Sequence, residues 1–438
     1  MAGWCMASTS DVVVIGAGVI GAAVALELAR GGRSVTVVDR GPSPGAGSTS
    51  ASSAIVRFNY STWTGVAVAW ESRAAWLDWT GHLGGTDAVA PCRYTQTGGL
   101  VIDPPEASND SVFAHFDRAG IGYEQWDADT MRRRLPHLDV GRHHPPKAVD
   151  DDAFWAEPAG EVSGYWTPQA GWVDDPQLAT QNLARAAQRH GARFLHRAEV
   201  VEVLRSGERV GGVRLLDGAQ VHAPVVVNAA GPHSARVNAL AGVLGDFTVT
   251  TRALRQEVHA VNAPPPWATE PGPFVADLDL GVYLRGAPGG GLLVGGLEPA
   301  CDPLQWVDDP DRWDPNPSQL LRRTYLYRAA RRLPDLRVPE AARGIAGLYD
   351  VTDDWIPVYD RTCLPGFYVA VGTSGNQFKN APVVGRLLAA LVEACESGHD
   401  HDADPVQVPL PRTGTVADMG HYSRRRQLHR GSSFSVLG

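Results

Sequence analysis

The stretch Asp11-Val12-Val13-Val14-Ile15-Gly16-Ala17-Gly18-Val19-Ile20-Gly21 decides the fold of this 438-residue chain. Its apolar run is typical of a buried parallel strand, and the glycines that follow match the pattern GxGxxG. A helical pattern then continues to Arg30, and residues 34–39 read as a second strand that ends in an acid. Strand, glycine turn, helix, strand and acid in this order predict a βαβ unit that binds a dinucleotide.

Each residue type in this unit has a mechanical role. Gly16 permits the tight turn, Gly18 lets a pyrophosphate approach the backbone, and Gly21 lets the helix pack closely on the strand. The free N–H groups of the helix N-terminus suit phosphate oxygens. The acid Asp39 is placed to accept hydrogen bonds from a ribose. The predicted cofactor contacts of the unit are Gly16, Gly18, Val19, Ile20, Gly21 and Asp39.

Composition sets the class of protein. The chain is 44% hydrophobic and 20% charged, enough to bury a large core, and its length suggests two or three domains. A net charge of -9 argues against nucleic-acid binding. The five cysteines lack CxxC spacing, so we expect reduced thiols and neither a disulfide framework nor a metal site. With no apolar stretch long enough to span a membrane and no signal pattern at Met1, the sequence predicts a cytoplasmic protein.

Three later segments have the character of nucleotide-binding loops and turns. Residues 41–53 are rich in Gly, Pro, Ser and Thr and leave the second strand, so they are expected to run over the cofactor, although a plain loop has the same composition. The buried strand 225–228 leads into a small-residue turn, 229–234, for which a generic strand–helix turn is an equally good interpretation. The strand 366–371 leads into the glycine turn 372–379 and then a helix, whose N-terminus can place partial positive charge on an anion.

Residues 281–296 predict a β-hairpin in a different part of the chain. Two apolar runs, 281–285 and 292–296, flank a Pro-Gly-Gly-Gly turn. We take this hairpin to belong to a second, antiparallel domain that covers the cofactor and shapes a substrate pocket.

With both ends placed, the chain resembles the D-amino acid oxidase superfamily of FAD enzymes, and within it the sarcosine oxidases, glycine oxidase and their relatives. The resemblance is carried by residues 14–21, by Asn228-Ala229-Ala230-Gly231-Pro232, and by residues 372–382, which are similar to the family turn G-x-S-G-H-G-F-K-x-A-P. It spans residues 11–400 and implies FAD rather than NAD, because no second GxGxxG unit is present.

The resemblance also implies an architecture. The fold class is α/β, a Rossmann-like FAD-binding domain joined to an α+β domain with an antiparallel sheet. The expected FAD-binding domain is discontinuous, with residues 11–84, 166–244 and 336–400. Residues 85–165 and 245–335 then form the substrate-binding domain, and 401–438 form a C-terminal tail.

Site residues follow position by position from the family patterns. Arg57 and Tyr60 match the R-x-x-Y that ends the first loop, and Lys379 matches the lysine of the C-terminal turn. In the family this arginine and lysine bind the substrate carboxylate, and two cations on one carboxylate is sound chemistry. Tyr283 and Arg285 of the hairpin complete the catalytic candidates. The further cofactor contacts that the resemblance implies are Arg40, Ser48, Thr49, Ser50, Val201, Ala230, Gly231, Gly347, Gly372, Ser374, Gly375, Asn376, Gln377, Phe378 and Lys379.

The sequence departs from the family at the flavin attachment points. Gly347 stands where the monomeric relatives have the cysteine that bonds to flavin, and residues 48–55 contain no histidine, so we expect non-covalent FAD. The lysine that activates oxygen in those relatives is replaced near Leu293. Unless Arg285 on the facing strand substitutes for this lysine, we expect oxygen to reoxidise the reduced flavin slowly, or another electron acceptor to take its place.

The resemblance implies oxidation of the C–N bond of an amino acid or N-substituted amino acid, by hydride transfer to flavin N5. The substrate is a small carboxylate-bearing amine, and the protein is a monomer or homo-oligomer. One alternative is a 2-hydroxy acid dehydrogenase, which needs a base such as His259 near the reacting carbon. The other is a flavoprotein subunit of a hetero-oligomer that docks through the basic run 423–426, otherwise read as a solvated face or inter-subunit contact.

Overall fold

The computed structural model describes residues 8–85, 90–341 and 343–437. Within these ranges the helices are α1 Val19–Arg30, α2 Trp63–Leu77, α3 Trp79–Leu83, α4 Asp110–Ala119, α5 Ala128–Arg134, α6 Pro176–Arg189, α7 Ser234–Ala241, α8 Gln319–Arg332 and α9 Ala381–Glu396. Two single turns of 3-10 helix, Ser48–Ala51 and Phe378–Asn380, occupy loops that the site uses. Among the described residues, no helix has both the length and the apolar character that crossing a membrane requires.

The strands of the same ranges are numbered in chain order. They are β1 Ser8–Thr9, β2 Val12–Ile15, β3 Val35–Asp39, β4 Ile55–Val56, β5 Tyr94–Thr95, β6 Gly99–Ile102, β7 Glu124–Trp126, β8 Gly164–Thr167, β9 Gly171–Val173, β10 Arg193–His196, β11 Val200–Ser206, β12 Arg209–Leu215, β13 Gln220–His222, β14 Val225–Asn228, β15 Thr251–Asn262, β16 Phe274–Asp277, β17 Val282–Ala287, β18 Gly291–Gly296, β19 Gln305–Val307, β20 Gly344–Thr352, β21 Val358–Arg361, β22 Phe367–Val371, β23 Gln407–Leu410 and β24 Thr415–Asp418.

The central sheet has the order β10-β3-β2-β14-β22-β21. Its first five strands are parallel, and β21 runs antiparallel at the edge. Val12 and Val14 of β2 face a core formed with α1, α6 and α9, whereas Val13 and Ile15 face a second core formed with β11, β12 and β13. Burial on both faces explains why β2 is apolar throughout instead of alternating. The predicted βαβ unit is confirmed.

A second, mostly antiparallel sheet has the order β19-β15-β18-β17-β16-β6-β8-β7, with β20 also paired to β15. Its predicted hairpin forms as β17 and β18, in which Arg285 pairs with Leu293. The α/β class with an antiparallel second sheet is therefore confirmed. Pairing extends this sheet to β8 and β20, although the predicted boundaries assign residues from 166 and 336 onward to the FAD-binding domain. The domain limits themselves stay a prediction.

The C-terminal residues pack as part of the fold. Residues 407–418 form the β23–β24 hairpin, and Arg424 is buried in ion pairs with Asp246, Asp360 and Asp402. Arg426 is buried against Asp354. The interpretation of this basic run as a solvated face is wrong for these two arginines. The proposed docking surface loses them for the same reason, since their charges are already paired inside the molecule.

Candidate active site

A cavity of about 720 Å³ lies where the carboxyl ends of β2, β3 and β14 meet the antiparallel sheet. This edge of an open parallel sheet is where α/β proteins bind ligands. The volume falls within the range of pockets that hold cofactors and substrates. The cavity has one end at the glycine turn after β2 and continues to side chains of β17 and of the turn before α9.

The glycine turn forms the first end of the cavity. Gly16 has a φ of +108°, and a Cβ there would overlap the carbonyl oxygen of Ala229. Gly18 begins α1 with no side-chain cap, and a Cβ on it would lie 3.4 Å from the Thr49 hydroxyl oxygen. Gly21 is not on the cavity wall, because its role is packing: a Cβ there would overlap the carbonyl oxygen of Gly16. This geometry fits the predicted roles of Gly16 in the turn and of Gly21 in packing, and the role of Gly18 toward a pyrophosphate stays a prediction.

Asp39 closes the same end. Its carboxylate accepts hydrogen bonds of 2.6 Å from the N–H groups of Ala17 and Gly41. Each carboxylate oxygen has a further lone pair, so the side chain can still accept from a ribose hydroxyl. The Val19 N–H donates to the Thr49 hydroxyl over 3.1 Å, which ties the predicted covering loop to the start of α1. Backbone N–H groups, a helix N-terminus and an acid thus suit a dinucleotide.

Most of the predicted cofactor contacts lie on the cavity wall. These are Gly16, Gly18, Val19, Ile20, Asp39, Arg40, Ser48, Thr49, Ser50, Ala230, Gly231, Gly347, Gly375, Asn376, Gln377, Phe378 and Lys379. Val201 is not among them and its neighbour Val200 is, because successive side chains of β11 point to opposite faces. The predicted contact Val201 is therefore wrong by one residue, because Val200 is the residue of β11 that lines the cavity.

Gly372 and Ser374 support the turn before α9 without lining the cavity. The Gly372 N–H donates to the Asp350 carboxylate over 2.6 Å, and the Ser374 N–H donates to the Asp350 carbonyl over 2.7 Å. Both turn residues have positive φ, +70° and +48°. Asp350 itself is on the wall, and burial raises the pKa of its carboxyl to about 7. The predicted contacts Gly372 and Ser374 are in this sense positioning residues.

The opposite end of the cavity holds two buried cations. Arg57 and Lys379 both line it, and the Tyr60 ring lies between them: the Arg57 Cζ is 5.1 Å and the Lys379 Nζ 5.0 Å from the ring centroid. Tyr60 is not on the wall; its hydroxyl donates to the Asn376 carbonyl over 2.6 Å. The predicted R-x-x-Y pair thus forms a cation and the aromatic support beneath it.

Neither cation has a carboxylate partner among the described residues. The Lys379 Nζ donates to the Asn376 carbonyl over 2.6 Å. Burial, and then the positive charge of Arg57, lowers the pKa of Lys379 well below its usual value. Burial also lowers the pKa of Arg57. Two adjacent desolvated cations favour an anion in the space they face.

Backbone carbonyls accept hydrogen bonds from the Arg57 guanidinium. Nη1 donates to Asn59 and Leu437 over 2.5 and 2.9 Å, and Nη2 donates to Val436 over 2.5 Å. Val436 and Leu437 also line the cavity, so residues close to the carboxyl end of the described chain form part of its wall.

Of the two catalytic candidates on the hairpin, Tyr283 lines the cavity and Arg285 does not. Tyr283 lines the cavity, and its hydroxyl is 2.6 Å from the Ser53 hydroxyl. Arg285 does not line it: its guanidinium donates to the Val173 carbonyl over 2.7 Å and stacks on Trp172, with Cζ 4.2 Å from the ring centroid. Arg285 is thus a buried structural residue, and its predicted role as a cation beside the flavin is not supported by its position.

His259 is likewise not on the cavity wall. It is fully buried, with Nε2 3.0 Å from the Glu257 carboxylate and its ring against Tyr325. The neighbouring Val258 faces the cavity instead, because side chains alternate along β15. The residue proposed as a base for a 2-hydroxy acid therefore has no access to a substrate in this cavity.

Sequence reasoning missed four residues of the cavity wall, Gln256, Tyr349, Val436 and Leu437. It also missed Glu298, which does not line the cavity but contacts Gln256 and Val436. Tyr349 follows Gly347 by two positions, and Glu298 is an acid two positions after the apolar run 292–296, so both carried a local signal. No local pattern marks Val436 and Leu437, because the residue they contact is far away along the chain. Val436 is 379 residues from Arg57 in sequence.

Comparison with known proteins is consistent with this geometry. The family model described as "DAO: FAD dependent oxidoreductase" matches residues 11–391. A glycine oxidase of Geobacillus kaustophilus is 26% identical over 396 residues, with 89% of this chain and 94% of that protein covered. A D-amino acid dehydrogenase of Methylobacterium nodulans is 26% identical over 428 residues, with 89% and 97% covered. The crystal structure of L-proline dehydrogenase from P. horikoshii shares the fold, with a TM-score of 0.73, 24% identity, and 90% and 95% of the two chains covered.

Proposed function

This chain belongs to the DAO family of FAD-dependent oxidoreductases, and from that premise we propose that it oxidises the C–N bond of an amino acid or N-substituted amino acid. It is an FAD-dependent oxidoreductase of the amino acid and amine type. The proposal adds the bond that is broken and the carboxylate that the substrate carries. Its product is an imine, formed when the substrate loses a hydride from the carbon beside nitrogen and a proton from nitrogen.

The observation that carries the proposal is the pair Arg57 and Lys379. Both are buried, both line the cavity, and neither has a carboxylate partner in the described ranges. A substrate carboxylate would supply the missing negative charge and accept several charge-assisted hydrogen bonds. An amine without a carboxylate would leave both cations desolvated and without an anionic partner, so this site selects against such an amine.

The cavity also fits the cofactor that the family uses. Gly16, Gly18 and the N-terminus of α1 would hold the pyrophosphate, and Asp39 a ribose. FAD, when bound, supplies the hydride acceptor. The chain's own task is to orient the substrate by its carboxylate and to exclude water from the reacting carbon. Tyr60 contributes indirectly, since it holds the two cations at fixed distances.

An anaerobic screen of amino acids, N-methyl amino acids and 2-hydroxy acids tests the proposal. At least one amino acid should bleach the flavin absorbance, and the matching 2-hydroxy acids should not, because His259 does not reach the cavity. Bleaching by a 2-hydroxy acid and by no amino acid would refute it.

Reoxidation of the bleached flavin gives a second prediction. Admission of air should restore the absorbance slowly, whereas an artificial acceptor should restore it rapidly. Arg285 is held by the Val173 carbonyl and the Trp172 ring, so it does not supply the cation that would stabilise the negative charge formed on oxygen. Rapid reoxidation in air would refute this second expectation alone.

We further propose that FAD is bound without a covalent bond. At Gly347, on the cavity wall, a Cβ would lie 2.7 Å from the Ala51 Cβ, which leaves no room for an attaching cysteine side chain. Acid precipitation of the purified yellow protein should therefore release free FAD into the supernatant. Flavin that remains in the washed pellet would contradict this prediction.

A further inference from the structure

The backbone of Val436 lies between a cation and an acid at the substrate end of the cavity. Its carbonyl oxygen accepts a 2.5 Å hydrogen bond from the Arg57 guanidinium. Its N–H donates to a carboxylate oxygen of Glu298, 3.4 Å away. One residue thus presents its oxygen to a cation and its nitrogen to a carboxyl group.

This arrangement has the connectivity of an α-amino acid. In any residue the amide nitrogen and the carbonyl oxygen are separated by Cα and the carbonyl carbon. In an α-amino acid the amino nitrogen and a carboxylate oxygen are separated by the same two carbon atoms. Groups spaced to bind the two ends of the Val436 backbone are therefore spaced to bind the two ends of an amino acid. A free amino acid would be held more strongly, because both of its ends carry full charges.

Glu298 is an acid with which no Lys, Arg or His side chain forms an ion pair in the described ranges. Besides the backbone N–H of Val436, Glu298 accepts a 3.0 Å hydrogen bond from Gln256 Nε2. Burial raises the pKa of its carboxyl to about 8, an effect that the Val436 N–H opposes. Its backbone has a φ of +51°, a conformation that non-glycine residues rarely adopt and that is concentrated at functional sites.

Glu298 does not itself line the cavity, but the residues around it do. Gln256 and the adjacent Leu297 line the wall, as does Tyr283. Burial first, and the charge of the nearby Glu298 carboxylate after it, raises the pKa of Tyr283 to about 12. Val436 lines the cavity and its N–H contacts the Glu298 carboxylate, so a ligand that displaces Val436 can take over this contact.

We propose that Glu298 binds the amino group of the substrate, in the position that the Val436 N–H takes here, while Arg57 binds the carboxylate. The inference rests on the proposed function and narrows its substrate class to α-amino acids whose nitrogen keeps at least one N–H. The substrate replaces Val436 between the two groups. A 2-hydroxy acid brings no positive charge to Glu298 and is disfavoured at the same point.

Glu298→Gln tests the proposal, because it keeps the shape of the side chain and removes its charge. The probe is the amino acid that bleaches the flavin fastest in the anaerobic screen, whose apparent dissociation constant comes from the concentration dependence of the bleaching rate. The second probe is the carboxylic acid with the same carbon skeleton and no amino group, measured as an inhibitor of that bleaching. Glu298→Gln should weaken the amino acid by about tenfold or more and leave the inhibitor within about twofold.

Two further variants make the result specific. Glu298→Asp keeps the negative charge and should lose less affinity for the amino acid than Glu298→Gln does. Glu202→Gln removes an acid that pairs with Arg214 outside the cavity and should change neither constant. FAD content and melting temperature identify any variant that has lost its fold, and Glu298→Asp then decides the question.

The possible failures are distinguishable. If no amino acid bleaches the wild-type flavin, the proposed function fails and the inference fails with it. If an amino acid bleaches it but Glu298→Gln weakens both probes equally, or neither, the proposed function stands and the role of Glu298 is refuted.

Discussion

Replacement of Arg57 by Met should weaken binding of the amino acid substrate by about 2–4 kcal/mol, a loss of roughly thirtyfold to several hundredfold in affinity. Arg57 is buried, and its guanidinium faces the cavity beside Lys379. Methionine fills much of the same volume but leaves the substrate carboxylate with one cation instead of two. The same titration of anaerobic bleaching rate against substrate concentration measures the effect.

Controls separate this loss from a loss of fold. Arg57→Met should weaken the amino acid and its amine-free analogue alike, because both carry the carboxylate, whereas Glu298→Gln should weaken only the first. Arg73 is a matched control, since it also stacks on an aromatic ring, 5.1 Å from that of Trp70, but lies outside the cavity. Arg73→Met should leave binding unchanged. If Arg57→Met lowered the melting temperature and FAD content with no selective binding defect, Arg57 would have a structural role only.

The parts of this fold that the sequence predicted are those with local patterns. Residues 12–39 combine a short apolar run, a glycine turn and a helical repeat, and each of these constrains its own backbone regardless of the rest of the chain. The β17–β18 hairpin was predictable for the same reason, from two apolar runs joined by a glycine-rich turn. Lys379 was predictable because residues 372–382 resemble the family turn that carries a lysine at this position.

The parts that were mispredicted depend on distant residues. His259 misses the cavity because of its phase along β15, where Val258 faces the cavity instead. Arg285 has the same phase as Tyr283 but lies two positions further along β17, against Val173 and Trp172, and the sequence of a strand that is buried on both faces does not reveal how far the cavity extends along it. The buried state of Arg424 depends on Asp246, which is 178 residues away along the chain. A run of basic residues therefore looks like a solvated surface until its acids are found.

The substrate end of the cavity shows the same limit at a functional site. The resemblance indicated Arg57, and the structure places it on the cavity wall. Its contact with Val436, and the relation of Val436 to Glu298, exist only in three dimensions. The pairing of β20 with β15 is a further example, because it joins residues on both sides of a predicted domain boundary. Long-range pairing, rather than local propensity, determines these features.

Replacement of Gly18 by Ala should lower FAD affinity by about a hundredfold or more while leaving the apoprotein folded. Gly18 has a φ of -68°, which alanine adopts readily, and the nearest atom to its Cβ would be the Thr49 hydroxyl oxygen at 3.4 Å, an ordinary contact. The methyl group would instead extend into the cavity where a pyrophosphate must approach the backbone. Titration of apoprotein with FAD, followed by flavin fluorescence, measures the loss.

Two other glycines show whether the loss is specific. Gly245 lies outside the cavity, and no atom lies within 4 Å of a Cβ built on it, so Gly245→Ala should bind FAD as the wild type does. Gly16→Ala should destabilise the fold itself by about 3 kcal/mol or more, because its φ is +108° and its Cβ would overlap the Ala229 carbonyl. A Gly18→Ala variant that binds FAD normally would show that the pyrophosphate does not pass over this turn, and that the dinucleotide enters the cavity in another orientation.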